Sequence, residues 1–261
     1  MRLSALSILL CVFCLAATAS AELQKKNIEY KDGDTVLEGY LVYDDAIEGK
    51  RPGVIVVHDW MGFGSYGNGR AEQLAHLGYA ALAVDIYGKG VRPKNSDEAA
   101  KEAGYYKEHR DILRRRALAG LETLEKEDVV DSKRIAAIGY CFGGSTVLEM
   151  ARAGMPLTGV VSFHGGLATS MPAGKGDIKS KVLVLHGADD PFESQEEISN
   201  FKNELNDAGA DWQMVYYSGA VHSFTRKDAG NDNSKGAAYN ERADVRSWEA
   251  MKAFFNELFN K

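Results

Sequence analysis

Hydrophobic and polar positions along this chain follow two periods, which predict alternating strands and helices. Several continuous apolar runs, rich in Val, Ile and Ala, are typical of strands buried on both faces. These runs are residues 52–57, 79–84, 134–139, 157–163 and 182–185. Segments with apolar residues at helical spacing follow most of them. Helices are predicted at 70–77, from a cap at Ser96 to about 126 with a break near Gly104, and at 145–152, 195–208 and 242–258.

The two ends of this pattern add further strands. Residues 22–43 alternate between apolar and polar side chains, and a turn sequence at 31–34 divides them into two antiparallel strands. Residues 212–217 predict one more strand. The regular alternation predicts the α/β class, with a mostly parallel central sheet and helices on both of its faces. On such sheets, ligands bind beyond the carboxyl ends of the strands.

The first 21 residues have the features of a secretory signal peptide. Arg2 supplies a positive charge, residues 3–15 are largely apolar, and small residues at 19–21 form a cleavage site. The apolar run is too short to span a bilayer comfortably. We therefore expect residues 22–261 to form a single domain that is periplasmic or secreted, with no membrane segment left after cleavage.

Charge and cysteine content narrow the possible partners. Removing the signal peptide leaves 30 of the 31 basic residues against 37 acidic ones, a net charge of −7. With no dense basic cluster, this balance argues against a nucleic-acid partner. Cys11 and Cys14 leave with the signal peptide, so Cys141 is then the single thiol and no intramolecular disulfide can form. We expect a monomer without a cofactor or metal.

The sequence around Cys141 is the strongest chemical signal in the chain. An apolar run ends at Gly139, and Tyr140, Cys141, Phe142 and Gly143 lead into a predicted helix. This is the strand-turn-helix pattern Gly-x-Ser-x-Gly with cysteine in place of serine, and the glycines permit the close backbone approach that such a turn needs. The helix amino terminus would favour the thiolate form. The alternative is a buried cysteine that ends an ordinary strand.

A cysteine nucleophile needs a base, and the base needs an acid that orients it. In enzymes with this turn, the acid follows the nucleophile along the chain and the base comes last. Asp189 and Asp190 follow a predicted strand and are both candidates for the acid, while His222 follows the next strand and has the order required of the base. Other histidines also lie at strand ends and are expected to be hydrogen-bonded loop residues. They are His58, His164 and His186, whereas His76 and His109 fall in predicted helices.

Several motifs together resemble the dienelactone hydrolase family of the α/β-hydrolase fold. They are G-Y-C-F-G-G around Cys141, H-G-A-D-D-P-F around Asp190, H-S-F-T-R from His222, D-W-M-G from Asp59 and D-I-Y-G-K from Asp85. The resemblance spans nearly the whole chain after the signal peptide. It implies Cys141 as nucleophile, His222 as base and Asp190, in preference to Asp189, as acid.

The same resemblance implies the remaining site residues and a substrate class. The backbone N–H groups of Trp60 and Phe142 would form the oxyanion hole. Asp59 falls where the family has an acidic residue beside the resting thiol, a glutamate in one member, and a plain loop or helix-capping role is the alternative. Lys89 and Arg226 fall where the family has cations for a substrate carboxylate, with Lys89 in place of an arginine. The implied activity is a carboxylesterase or lactonase acting on small esters or lactones through a thioester.

Two other functions compete with this interpretation. His58, Asp59, His164, His186 and Asp189 could converge at the carboxyl edge of the sheet and bind zinc, which would make the protein a metal-dependent hydrolase. Alternatively, the protein could be a periplasmic binding protein that kept the fold without turnover.

Overall fold

The computed structural model describes residues 22–259, in which eight strands form one sheet. The strands are β1 (Leu23–Asp32), β2 (Thr35–Asp44), β3 (Arg51–Val57), β4 (Ala80–Val84), β5 (Val130–Tyr140), β6 (Gly159–Phe163), β7 (Lys181–Gly187) and β8 (Trp212–Tyr217). Their order across the sheet is β1-β2-β4-β3-β5-β6-β7-β8. β1 pairs antiparallel with β2 and β2 antiparallel with β4, whereas all pairs from β4 to β8 are parallel. The predicted α/β class with a mostly parallel sheet is confirmed, while the predicted signal peptide at 1–21 lies outside the described residues.

Helices cover both faces of this sheet. They are α1 (Ser65–His76), α2 (Ser96–Glu108), α3 (Arg110–Glu125), α4 (Phe142–Arg152), α5 (Gln195–Ala208) and α6 (Glu241–Phe259). Apolar residues of α1 and α6 pack in one core layer, and those of α2, α3, α4 and α5 pack in the other. The central strands are buried on both sides, which explains their continuous apolar sequence. Within 22–259, none of the helices combines the length and apolar character that crossing a bilayer requires.

Several predicted helix ends differ from the observed ones. The break expected near Gly104 is wrong, because α2 continues through Gly104 and the helical region instead breaks at His109, between α2 and α3. The cap expected at Ser96 is wrong by one residue, since the Asn95 side chain accepts the hydrogen bond from the Glu98 N–H. Helix α4 starts at Phe142, directly after the cysteine, rather than at 145.

The parallel order brings the carboxyl ends of the six strands β3 to β8 to one edge of the sheet. The loops that follow β3, β5, β6, β7 and β8 carry the candidate residues, and β5 lies between β3 and β6. Residues that are more than 80 positions apart in the chain therefore meet at this edge.

Candidate active site

Cys141 lies at the tip of a tight turn between β5 and α4. Its backbone has a φ of 54° and a ψ of −113°, a left-handed conformation that side-chain-bearing residues rarely adopt. The flanking glycines permit the turn. A Cβ atom on Gly139 would lie 2.0 Å from the Gly143 carbonyl oxygen, and one on Gly143 would lie 2.3 Å from the Val57 carbonyl oxygen. Both positions therefore require glycine, as the strand-turn-helix prediction expected.

The turn is held in place by the residues at the end of β6. The Cys141 N–H lies 3.0 Å from the Phe163 carbonyl oxygen and 3.2 Å from His164 Nδ1. Burial, reinforced by the positive charge on His222, lowers the pKa of His164 well below its usual range. The neutral ring then accepts at Nδ1, and its Nε2–H donates to Thr225 Oγ1 over 2.8 Å. His164 thus supports the backbone of the turn and does not hydrogen-bond the sulfur.

His222 connects the sulfur to a buried carboxylate. Its Nε2 lies 3.0 Å from Cys141 Sγ, and its Nδ1 lies 2.8 Å from Asp190 Oδ2. Burial alone would lower the pKa of His222, but the charge on the Cys141 sulfur and the hydrogen bond to Asp190 raise it to about 10. The imidazole ring therefore keeps its proton at neutral pH.

The loops that carry Asp190 and His222 are fixed by backbone hydrogen bonds. The second oxygen of the Asp190 carboxylate accepts from the Phe192 N–H over 3.0 Å. The His222 N–H donates to the Gly236 carbonyl oxygen, and the His222 carbonyl oxygen accepts from Ala238. Asp190 is buried whereas Asp189 is exposed, so the structure brings Asp190 and not Asp189 to the histidine.

Two backbone N–H groups are free to bind an oxyanion beside the sulfur. In the part of the chain that the structure describes, neither the Trp60 N–H nor the Phe142 N–H has a protein acceptor. Phe142 is the first residue of α4, and Trp60 follows β3 and lines the same cleft as Cys141. The Tyr87 hydroxyl donates to the Trp60 carbonyl oxygen over 3.1 Å, which holds this loop in position.

The sulfur opens into a cleft of about 300 Å³. The residues that line it are Asp59, Trp60, Ser96, Cys141, His164, Ser223, Arg226, Asp228, Ala229 and Ala237. Arg226 is the cation of the cleft, and it forms ion pairs with both Asp59 and Asp228. The Asp59 carboxylate thus binds Arg226 and the Met61 N–H, and no hydrogen bond between Asp59 and the sulfur is found among the described residues.

Lys89 lies outside the cleft. Its ammonium group pairs with Glu29 of β1, on the part of the surface formed by the antiparallel strands. The contact comes from a strand 60 residues earlier in the chain, so the sequence alone gave no sign of it. Of the two predicted substrate-binding cations, the structure brings Arg226 to the cleft but not Lys89.

The other strand-end histidines have structural contacts. His58 Nδ1 donates to the Asp59 carbonyl oxygen and its Nε2 accepts from the Ile86 N–H, at 2.6 and 3.1 Å. His186 is buried and packs edge-on against Tyr216. Among residues 22–259, no three His, Cys, Asp or Glu side chains are grouped so that they could share one metal ion. The convergence that a zinc site would need is therefore not observed.

Sequence reasoning missed three residues that shape the site. Tyr87 fixes the Trp60 loop, Thr225 receives the His164 hydrogen bond, and Asp228 pairs with Arg226. Tyr87 and Thr225 lie within motifs that were already recognised, and their positions beside Asp85 and His222 were the available signal. Asp228 follows Arg226 by two residues, a spacing that is common on exposed loops and carries little information.

Comparisons with known proteins agree with this geometry. A family model described as the dienelactone hydrolase family matches residues 37–259. A dienelactone hydrolase-like promiscuous phosphotriesterase from metagenomic libraries is 42% identical, with a TM-score of 0.85, over 92% of this chain and 100% of the other. A predicted carboxymethylenebutenolidase of Aquifex aeolicus is 24% identical over 87% of this chain and 96% of that protein. The dienelactone hydrolase of Anabaena variabilis shares the fold, with a TM-score of 0.62 at 17% identity over 91% of this chain and 98% of the other.

The family model covers most of the chain, and the matched range includes Cys141, Asp190 and His222. The chain therefore belongs to the dienelactone hydrolase family, within the α/β-hydrolase fold, and is a hydrolase that acts on ester or lactone bonds.

Proposed function

We propose that the protein is a cysteine-dependent hydrolase of small esters or lactones that acts through a thioester acyl-enzyme. One observation carries the proposal: His222 lies 3.0 Å from Cys141 Sγ and 2.8 Å from the Asp190 carboxylate, in the chain order of a catalytic triad. The raised pKa of His222, about 10, supports a thiolate–imidazolium pair at neutral pH.

Acylation begins when the Cys141 thiolate attacks the substrate carbonyl carbon. The carbonyl oxygen becomes negatively charged, and the N–H groups of Trp60 and Phe142 stabilise it. As the tetrahedral intermediate collapses, the bond to the alcohol oxygen breaks and His222 donates its proton to that oxygen. In a lactone the alcohol stays attached to the acyl group, so ring opening gives a hydroxyacyl thioester.

Deacylation uses the same groups, but His222 now accepts a proton instead of donating one. Once the sulfur is acylated it carries no negative charge, so His222 loses the neighbour that raised its pKa and can act as a base. It takes a proton from a water molecule, the hydroxide attacks the thioester carbonyl, and the carbon–sulfur bond breaks. The acid product leaves and the thiolate–imidazolium pair forms again. Asp190 keeps the ring oriented throughout.

Alkylation of the single thiol of residues 22–259 tests this mechanism. Iodoacetamide should abolish hydrolysis of 4-nitrophenyl acetate in proportion to the thiol modified, and Cys141→Ser should be inactive to the same degree. Full turnover after complete alkylation would exclude the cysteine mechanism. An absence of activity across a broad panel of esters and lactones, together with ligand binding by Cys141→Ala equal to that of the wild type, would favour the non-catalytic binding protein.

A second activity is suggested by the 42% identical metagenomic protein, which is described as a promiscuous phosphotriesterase. We propose that the same thiolate can attack the phosphorus of a phosphotriester and displace an aryloxide, which leaves a phosphorus–sulfur bond. Water then attacks the phosphorus, the phosphorus–sulfur bond breaks, and the phosphodiester is released with the thiolate restored. Hydrolysis of paraoxon that disappears in Cys141→Ser would support this. Equal rates in the wild type and Cys141→Ser would refute it.

We also propose that the protein is exported to the periplasm or secreted as a monomeric single domain of residues 22–261. The basic, apolar and small-residue regions of residues 1–21 support cleavage before Glu22. Amino-terminal sequencing of protein recovered from the periplasm or medium should begin at Glu22, and size-exclusion chromatography should give a monomer. A cytosolic protein that retains Met1 or Arg2 would contradict the proposal.

A further inference from the structure

The guanidinium group of Arg226 is bound by two carboxylates. Its Nε–H donates to Asp228 Oδ1 over 2.8 Å, and Nη2 donates to the other oxygen of the same carboxylate. Nη1 donates to Asp59 Oδ2. Three of the five N–H groups that an arginine can offer are thus engaged, and the face of the group stacks on the Tyr66 ring at 4.6 Å.

Both carboxylates are held in place by the protein. The Asp59 side chain is only 6% exposed, and its other oxygen accepts from the Met61 N–H over 2.8 Å. Asp228 belongs to the short 3₁₀ turn Lys227–Ala229, directly after Arg226, so local chain geometry keeps the two side chains together. The edge of Arg226 that would form a fork with a substrate carboxylate already forms one with Asp228.

The charge balance of the cleft is therefore acidic. Among the described residues that line it, Arg226 is the one lysine or arginine, and it faces two carboxylates. Two cations of the loop after β4 are engaged elsewhere, because Lys89 pairs with Glu29 and Arg92 pairs with Glu38. A substrate carboxylate would have to displace Asp228 to form the Nε–Nη2 fork, and at either of the two remaining N–H groups it would face two like charges.

We propose that the cleft selects esters and lactones whose acyl group carries no negative charge, and that Asp228 is a residue that determines this specificity. The inference rests on the proposed function and names the substrate class of the same site. It reverses the expectation, taken from the family resemblance, that Arg226 and Lys89 together hold a substrate carboxylate.

Two substrates that differ in one charge test the proposal. They are 4-nitrophenyl hydrogen adipate, with a free carboxylate, and its methyl ester. The wild type should have a kcat/KM at least about tenfold higher for the methyl ester. Asp228→Asn should raise the acid-to-methyl-ester ratio of kcat/KM by about threefold to tenfold, the size of one partly screened unit charge at neighbouring distance.

Asp211→Asn is the matched control. Asp211 resembles Asp228 in exposure, 64% against 67%, and in pairing with a cation, Lys181 in place of Arg226. Asp211, however, lies at the opposite end of the parallel strands from the cleft. Its substitution changes the net charge equally and should leave both kcat/KM values as in the wild type. A wild type that prefers the acid substrate, or an acid-to-ester ratio that Asp228→Asn leaves unchanged, would overturn the proposal.

A binding measurement separates this inference from the proposed function. If Cys141→Ser hydrolyses both substrates as fast as the wild type, the cysteine mechanism fails. The proposed selection against a charged acyl group is then tested by ligand affinity and no longer by kinetics. In Cys141→Ala, calorimetry should show tighter binding of dimethyl adipate than of monomethyl adipate, and Asp228→Asn in that background should narrow the difference. Tighter binding of the monomethyl anion would refute the selection whatever the mechanism is.

Discussion

The two-residue spacing between Cys141 and Gly143 leads to a quantitative prediction. Gly143 lies in the first turn of α4, where a Cβ atom would be 2.3 Å from the Val57 carbonyl oxygen and 2.6 Å from the His58 carbonyl oxygen. Both contacts are with backbone atoms of β3 and its following loop, which cannot rotate away. We therefore expect Gly143→Ala to push α4 away from the end of β3.

The expected cost follows from two opposing effects. Alanine favours a helix interior over glycine by about 0.5–1 kcal/mol. The overlap at Gly143 is about 1 Å relative to ordinary contact, and overpacking of this kind costs about 1–3 kcal/mol. Because the neighbours are rigid, we take the upper part of that range, which leaves a net loss of about 2 kcal/mol. For a chain of this length that lowers Tm by about 4–8 °C.

Gly104→Ala provides the matched control. Gly104 also lies within a helix, α2, but nothing is found within 4 Å of its added Cβ atom. Thermal unfolding should show Gly104→Ala as stable as the wild type or more so. The 4-nitrophenyl acetate assay should show a loss of about 10²-fold for Gly143→Ala alone, because α4 carries the Phe142 N–H and a shift of 1 Å has effects of that size. If the two variants have the same Tm and activity, the reasoning about the turn is wrong.

Further predictions concern the acid, the base and one helix cap. In NMR titrations of labelled histidine, His222 should titrate near pH 10. Cys141→Ser should lower this pKa because the negative charge on the sulfur is lost. A pKa of His222 that stays the same in the variant would contradict the ion pair. Asp190→Asn should lower kcat/KM by about 10²–10⁴-fold. Asp189→Asn, at an exposed site, should keep kcat/KM within about twofold of the wild-type value. A larger loss in Asp189→Asn than in Asp190→Asn would make Asp189 the acid. Ser194→Ala removes the capping box of α5 and should cost about 1 kcal/mol in urea unfolding; equal stability would contradict the cap.

The fold could be predicted because each central strand is buried on both faces and reads as a continuous apolar run. The boundaries of the helices were harder to predict from the sequence. Helix α1 begins at Ser65, five residues before the predicted start, although Gly67 and Gly69 lower its helix propensity. Gly67 is buried, and a Cβ atom there would lie 4.0 Å from Ala83 of β4, so packing of the helix against the sheet outweighs local propensity.

The break in the α2–α3 region shows a similar limit. Gly104 faces open space and is tolerated within α2. The helix ends instead at His109, whose ring contacts the Tyr105 carbonyl oxygen at 2.8 Å and satisfies one of the terminal acceptors. Glycine commonly ends helices, whereas histidine has no such preference. The sequence pattern therefore predicted the break at Gly104 instead of at His109.

The proximity of Cys141, Asp190 and His222 could be predicted because each lies in a strand-end motif and their chain order is informative. The ion pairs around the cleft could not be predicted, because each charged side chain has several possible partners. The resemblance placed Asp59 beside the sulfur, and only the structure shows that it binds Arg226. The position of Lys89 outside the cleft could not be predicted either, because its partner, Glu29, belongs to a strand far away in sequence.

The distribution of the site along the chain has a consequence for folding. Cys141 and His222 hydrogen-bond across 81 residues, and the histidine loop is held by contacts with 236 and 238, close to the start of the last helix. Such long-range contacts form only after most of the chain has ordered. A nascent or partly folded chain therefore carries an ordinary thiol without its imidazole neighbour. The nucleophilicity proposed for Cys141 is a property of the completed fold, so its rate of alkylation would report when folding of the C-terminal half is finished.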